Sequence, residues 1–174
     1  RGKKYAVEDF AQLTHHGRNA KYDSSMEKLI PVLDMHTSFP LLEKVKLFRL
    51  VLFCFLVGNE DMHLKNFSLL RYRNKVELSP AYDLVSSTLV MQSRDELALP
   101  LAGKRSKITS SLLCDYYGRD RLGLRPSVVD DEMRALYKAS QDWESLIHAS
   151  FLMPDMQEKY CELIAERKRR LFTS

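Results

Sequence analysis

Between positions 58 and 66 the chain reads Gly58-Asn59-Glu60-Asp61-Met62-His63-Leu64-Lys65-Asn66. Four of these side chains can do chemistry. A carboxylate such as Asp61 accepts the proton of a hydroxyl that is becoming a nucleophile. The amide oxygen of Asn66 is a hard ligand suited to Mg²⁺, which takes oxygen and keeps several positions for phosphate and water. A second hard ligand stands downstream in Asp83, within Pro80-Ala81-Tyr82-Asp83-Leu84. Lys65 brings a positive charge four residues after Asp61, suited to a phosphate in transfer, and His63 is suited to hydrogen-bonding the loop backbone and positioning it. One base, two oxygen ligands and a cation match what phosphoryl transfer asks of a protein. That reaction needs positioning and charge neutralisation more than covalent help.

The spacing sharpens this. Asp61 and Asn66 are five positions apart, the Asp-x-x-x-x-Asn spacing of the protein-kinase catalytic loop. There the Asp is the base, the Asn holds Mg²⁺ on the phosphates of ATP, and a second carboxylate follows a hairpin. The spacing by itself is weak. In the bland alternative Asp61 caps a turn and Asp83 starts a helix. Loop, hairpin and following Asp in that order, after an apolar helix, make the stronger signal.

The elements that must hold these groups read as mostly helical. Tyr5 to His16 has apolar residues at helical spacing. Ser24 or Ser25 can cap a second helix running to about Met35, interrupted near Pro31. Pro40, after Thr37-Ser38 as caps, opens a helix to Val57 that Gly58 ends, and its C-terminal half is apolar nearly all round. Phe67 to Tyr72 and Lys75 to Leu78 predict a hairpin around Arg73-Asn74. Leu97 to Leu101 predicts a short extended piece. Thr109 to Tyr117, ended by Gly118, Pro126 to Ala149 with Ser127 as cap, and Pro154 to Phe172 predict three further helices. Trp143, Leu146 and Ile147 read as core.

Composition sets outer limits. The chain has 174 residues, 45% apolar and 29% charged, which suits one compact unit with a real core and excludes disorder as its main description. Net charge is 27 − 23 = +4, too mild to argue for nucleic acid. Cys54, Cys114 and Cys161 are too few and too scattered for a disulfide framework or a zinc cluster, and two of them, in apolar stretches, read as reduced core thiols. The most apolar run, Leu50 to Val57, is too short to span a bilayer, and no signal-peptide pattern opens the chain. The expectation is a cytoplasmic chain with no membrane partner. It begins at Arg1, not Met, which leaves open a soluble fragment cut from a longer chain.

The motif Gly58-Asn59-x-Asp61-x-His63-x-Lys65-Asn66-Phe67-Ser68, with Leu78-Ser79-Pro80-Ala81-Tyr82-Asp83-Leu84, closely resembles the C-terminal domain of HipA-type serine/threonine kinases, the toxins of bacterial toxin–antitoxin pairs. Leu97 to Lys104 is similar to a strand-and-turn element of that family. The resemblance covers about Lys21 to Lys107 well. It implies a mainly α, kinase-like helical lobe over residues 1–174, with a small β-hairpin carrying the catalytic and metal-binding loops. It implies Asp61 as base and Asn66 and Asp83 as the Mg²⁺ and nucleotide ligands, with ATP as co-substrate and a protein hydroxyl as acceptor. It further implies an antitoxin partner, with DNA reached only through it. The family's N-terminal lobe, with its ATP-binding Lys and Gly-rich loop, has no counterpart here. That lobe is expected from elsewhere in a longer chain or from a separate one. Asp83 is followed by Leu84-Val85, not Phe-Gly, so the pattern is not that of a eukaryotic-type kinase.

Three other readings compete. Asp61, His63 and Asn66 also satisfy the Asp-x-His-x-x-Asn loop of small-molecule kinases of the aminoglycoside or choline type. Asn59 and Pro80 to Asp83 favour the HipA type. A non-catalytic antitoxin- or DNA-binding module would use Lys104, Arg105, Lys107 and the run Arg167-Lys168-Arg169-Arg170, which otherwise reads as a solvated helix end. A metal hydrolase on Asp61 and His63 would need further ligands that His15, His16, His36 and His148 are not spaced to supply. Tyr22, beside Lys21, is a weak candidate for the nucleotide or substrate side.

Overall fold

The structure, a computed structural model, describes residues 4–17, 20–91 and 95–173. In chain order it runs β1 (Ala6–Asp9), α1 (Phe10–Leu13), α2 (Leu29–His36), α3 (Pro40–Val57), β2 (Ser68–Tyr72), β3 (Lys75–Leu78), a π-helix (Leu112–Arg121), α4 (Pro126–Ala139), α5 (Trp143–His148) and α6 (Pro154–Phe172). The class is mainly α with one small antiparallel sheet, as expected. No helix among the described residues is long and apolar enough to cross a membrane.

The helix α3 organises the rest. Pro40 stands in its first turn, where a missing N–H costs nothing, and Gly58 ends it with a left-handed φ of 68°. Leu47, Phe48, Val51, Leu52, Phe55 and Leu56 are buried, and each such side chain contributes roughly 1.5–3 kcal/mol by leaving water. Thr37 and Ser38 do not cap this helix. Thr37 Oγ1 donates back to Leu33 O, and Ser38 Oγ accepts the Val76 N–H at 2.9 Å, tying the helix start to β3. Glu43, buried in the first turn, accepts the Leu78 N–H at 2.8 Å and holds the other end of β3. Pro31 does not interrupt α2. It lies in the first turn, after a 3₁₀ turn at Met26–Lys28, where its N–H is not needed.

The predicted hairpin is present, with Arg73 and Asn74 both at positive φ, 45° and 63°, as a two-residue primed turn requires. A third strand was not expected. Residues 5–16 are not one helix: Ala6–Asp9 pairs antiparallel with β2, Val7 opposite Leu70, and only Phe10–Leu13 is helical. The break is set by Asp9, whose side chain accepts the Gln12 N–H while Gln12 caps the Asp9 N–H.

Three helix boundaries also differ. Gly118 lies inside the π-helix, where a Cβ would meet Phe48 Cε2 at 3.0 Å. Its absent side chain lets this helix approach α3, and Gly123, at φ 69°, makes the turn that follows. Residues 126–149 break into α4 and α5 at a 3₁₀ turn, Ser140–Asp142. Ser140 Oγ donates to Tyr137 O and Lys168 Nζ takes Ser140 O, so the turn's carbonyls find partners outside the helix. Arg125, not Ser127, precedes the first helical residue. Ile147 is buried and Trp143 packs edge-on against Phe53, but Leu146 is exposed. Leu97 to Leu101 forms no strand and leads into a turn bridged between Leu101 and Lys104.

Candidate active site

Gly58 turns the chain out of α3 into the loop that carries Asp61. A Cβ here would come within 2.7 Å of Leu163 Cδ2 and 3.0 Å of Thr88 Oγ1, so the position is closed to a side chain. Thr88 returns two hydrogen bonds to Gly58 O, and Ser87 Oγ accepts the Glu60 N–H at 2.9 Å. The segment after Asp83 therefore braces the start of the loop.

Asn59, fully buried, joins the two halves of the site. Its Oδ1 accepts the Asp61 N–H at 3.2 Å and its Nδ2 donates to Asp83 O at 3.2 Å. Residues 22 positions apart in sequence are thereby held by one amide. Asn66, also buried, donates from Nδ2 to Asp61 O at 3.0 Å, which engages its nitrogen with the backbone of the loop. Tyr82 clasps the hairpin side: its hydroxyl donates to Lys65 O at 2.5 Å and meets Ser68 Oγ. Asp83 is exposed and stands at φ 57°, so it opens no helix.

His63 hydrogen-bonds the loop backbone: Nδ1 accepts the Lys65 N–H at 3.3 Å, while Nε2 meets Lys21 Nζ at 2.8 Å. Burial, then the Lys21 ammonium, hold this imidazole below its ordinary value against the opposing pull of Asp61 and Asp83. Both carboxylates act on the ring from close by. Lys65 enters the site through its main chain. Tyr22, given little weight from sequence, donates its hydroxyl to Asp61 Oδ1 and sets its ring edge-on to His63 at 5.2 Å. Burial, then the bond to Asp61 and its charge, push the Tyr22 phenol up to about 12. No local motif marks Lys21 or Tyr22, which arrive from a turn about forty residues upstream.

Among the described residues no three His, Cys, Asp or Glu side chains gather around one point as metal ligands. The oxygen donors near this loop include the Asn66 amide, the Asp61 carboxylate and, beyond the hairpin, the exposed Asp83 carboxylate, a hard set that suits a cation sharing its shell with phosphate and water.

The terminal basic run does not face solvent as a unit. Arg167 is buried over the Phe55 ring at 4.7 Å, and Arg170 pairs with Glu96 at 2.6 Å and donates to Ile108 O. One of its four cations is buried and a second is paired and half-buried, so the run is not the fully solvated helix end that its sequence suggests.

A family model described as the HipA-like C-terminal domain matches residues 1–143. The Sinorhizobium fredii protein named "Putative kinase Y4dM" is 40% identical over 95 residues, covering 53% of this chain and 23% of its own. A Haemophilus influenzae protein named "Putative kinase" is 27% identical over 160 residues, covering 83% of this chain and 46% of its own. The chain thus spans less than half the length of these relatives. Among solved structures, HipA of Shewanella oneidensis, in its complex with HipB and operator DNA, matches with a TM-score of 0.74 at 23% identity over 97% of this chain and 44% of HipA. The Helicobacter pylori proinflammatory kinase CtkA matches with a TM-score of 0.66 at 15% identity over 97% of this chain and 66% of its own. These two likenesses show the fold.

Proposed function

The chain belongs to the HipA-like C-terminal domain family, and from that membership we propose that it is the helical lobe of an ATP-dependent protein serine/threonine kinase. The observation that carries this reading is the Asn59 bridge, which fastens the backbone of Asp61 to that of Asp83 while Asn66 reaches Asp61 O. A base and two oxygen ligands thereby share one rim. Asp61 orients the acceptor hydroxyl and takes its proton. Asn66 Oδ1 and Asp83 hold Mg²⁺ with the phosphates of ATP, and that ion, when bound, neutralises charge on the transferring group. His63 keeps the loop's shape, and the Lys65 ammonium, four residues after the base, is assigned to the transferring phosphate by its charge and place in the sequence.

The missing half of the nucleotide site is assigned to an N-terminal lobe, on the same or a separate polypeptide, because kinase ATP sites lie between two lobes. The HipA structure holds HipB and operator DNA. By that likeness the partner here is an antitoxin, with DNA bound through it, and the role is that of the toxin of such a pair, working in the cytoplasm. The acceptor is a protein hydroxyl.

The test is made on the complete kinase. Asp61→Ala lowers phosphoryl transfer at least ~10²-fold, the usual least value of a positioned base. Asn66→Ala and Asp83→Ala weaken ATP binding in Mg²⁺ and leave metal-free binding alone. Transfer by Asp61→Ala above about a tenth of wild type contradicts the base assignment. Titrations that look the same in wild type and both variants contradict the ligand assignment.

A further inference from the structure

Asp61 is held in two ways. Its main chain is fixed by Asn59 Oδ1 at its N–H and by Asn66 Nδ2 and the His63 N–H at its carbonyl. Its carboxylate is held by something else, the Tyr22 hydroxyl on Oδ1. We propose that Tyr22 is a positioning residue for the catalytic base, setting the Asp61 carboxylate so that Oδ2 is presented to the acceptor hydroxyl. The inference rests on the kinase reading above.

The surroundings of Tyr22 are built to hold that hydroxyl still. Lys21 O accepts the Leu64 N–H from the catalytic loop at 3.2 Å, and Arg105 Nη2 reaches Tyr22 O at 3.4 Å, so the turn is tied on both sides. The ring has His63 at its edge, and Lys21 Nζ lies 4.8 Å from the ring centre. A phenol raised by burial and by its acidic partner stays protonated, and so remains a donor, at any working pH. An aspartate left with only backbone anchors keeps its place but regains freedom about its side-chain bonds. A base that must meet one hydroxyl loses rate when its rotamers spread.

The experiment compares Tyr22→Phe, Asp61→Asn and the double variant in the complete kinase, with ATP and acceptor each varied. Expected for Tyr22→Phe is a fall in kcat of about tenfold or more, with both KM values and the melting temperature near wild type, because orientation is lost and binding is not. In the Asp61→Asn background the same change has little further effect, since its target is gone. An unchanged kcat in Tyr22→Phe, or full additivity in the double variant, overturns the proposal. A raised kcat overturns it too, because the hydroxyl would then be blocking the place of the acceptor. If Asp61→Asn itself keeps activity, the kinase reading fails along with it. Loss in Asp61→Asn with none in Tyr22→Phe sinks the Tyr22 assignment alone.

Discussion

Two polar clusters lie at the C-terminal end of α3, and they are built on opposite principles. The cluster around Glu96 is closed. Glu96 Oε1 meets Arg170 at 2.6 Å and Arg167 at 3.5 Å, while Oε2 takes Arg170 at 3.0 Å and the Ile108 N–H at 2.7 Å. Burial pushes the Glu96 carboxyl up, but these donors and cations outweigh it and hold the group below its ordinary range. Both guanidinium groups also stack over Phe55. The cluster around Asp61 is open. Among the described residues, hydrogen bonds engage Asp61 through its N–H, C=O and Oδ1 and Asn66 through its main chain and Nδ2, and none of these bonds uses Asp61 Oδ2 or Asn66 Oδ1. A closed cluster serves the fold, because its buried cations face carboxylates, although Arg167 Nε and Nη1 make no hydrogen bond there. An open one, with its backbone satisfied and side-chain oxygens left without a hydrogen bond, is the arrangement that a ligand-binding loop requires. The Glu60 carboxylate is close enough to Arg167 to favour its charged form, which links the two clusters electrostatically.

The contrast is broken most directly at Glu96. Glu96→Ala leaves the buried Arg167 only the partly exposed Glu166 carboxylate at 3.5 Å, and the expected loss of stability is roughly 3–5 kcal/mol, the range for stripping one partner from a buried pair. Urea unfolding measures it. Asp61→Asn, in the same assay, leaves stability near wild type. Equal stability losses in the two variants would erase the distinction between closed and open clusters.

A smaller effect is expected where the open cluster is tied together. Asn59→Ala strips the Asp61 N–H and the Asp83 carbonyl of a buried partner, at a cost of about 1–3 kcal/mol. Its activity in the complete kinase falls further than its unfolded fraction explains. An activity loss fully accounted for by unfolding at the assay temperature would make Asn59 a mere structural amide.

The smallest effect separates the clusters by pH. Burial and Lys21 hold His63 below its ordinary 6.5, so the unfolded chain takes up a proton there before the folded one does. Stability is therefore whole above about 6.5 and falls with pH until the folded imidazole is itself protonated. Glu96, held below its ordinary 4.5, keeps its contribution above that value and loses it as pH falls through the lowered one. Unfolding measured from pH 7 to 5 has a slope in wild type that His63→Gln removes. A slope unchanged in His63→Gln assigns the acid sensitivity elsewhere.

Much of this was legible in the chain itself. The bounds of α3, the turn at Gly58, the hairpin and α6 follow from apolar periodicity and from Pro, Gly and Asn at positions that demand them. The spacing of Asp61 and Asn66, with Asp83 beyond the hairpin, is legible because loop chemistry is carried over a few residues. Even β1 had a local sign, the Asp9–Gln12 capping box, although apolar residues on both sides of it imitate a helix.

What tertiary structure alone decided involves partners far apart in sequence. The strand Ala6–Asp9 exists because β2 offers it a pairing edge more than sixty residues away. Gly118 reads as a helix end until Phe48 is seen to need its missing Cβ. Arg167 and Arg170 read as a solvated terminus until Glu96 and Phe55 are found beneath them. Tyr22 carries no motif and becomes meaningful only when folding brings its hydroxyl to Asp61. Local rules fix backbone shape because the hydrogen bonds of a helix or turn close within about five residues. Which charge is buried, which helix must lack a side chain and which hydroxyl reaches Asp61 are settled by contacts whose two halves no local pattern connects.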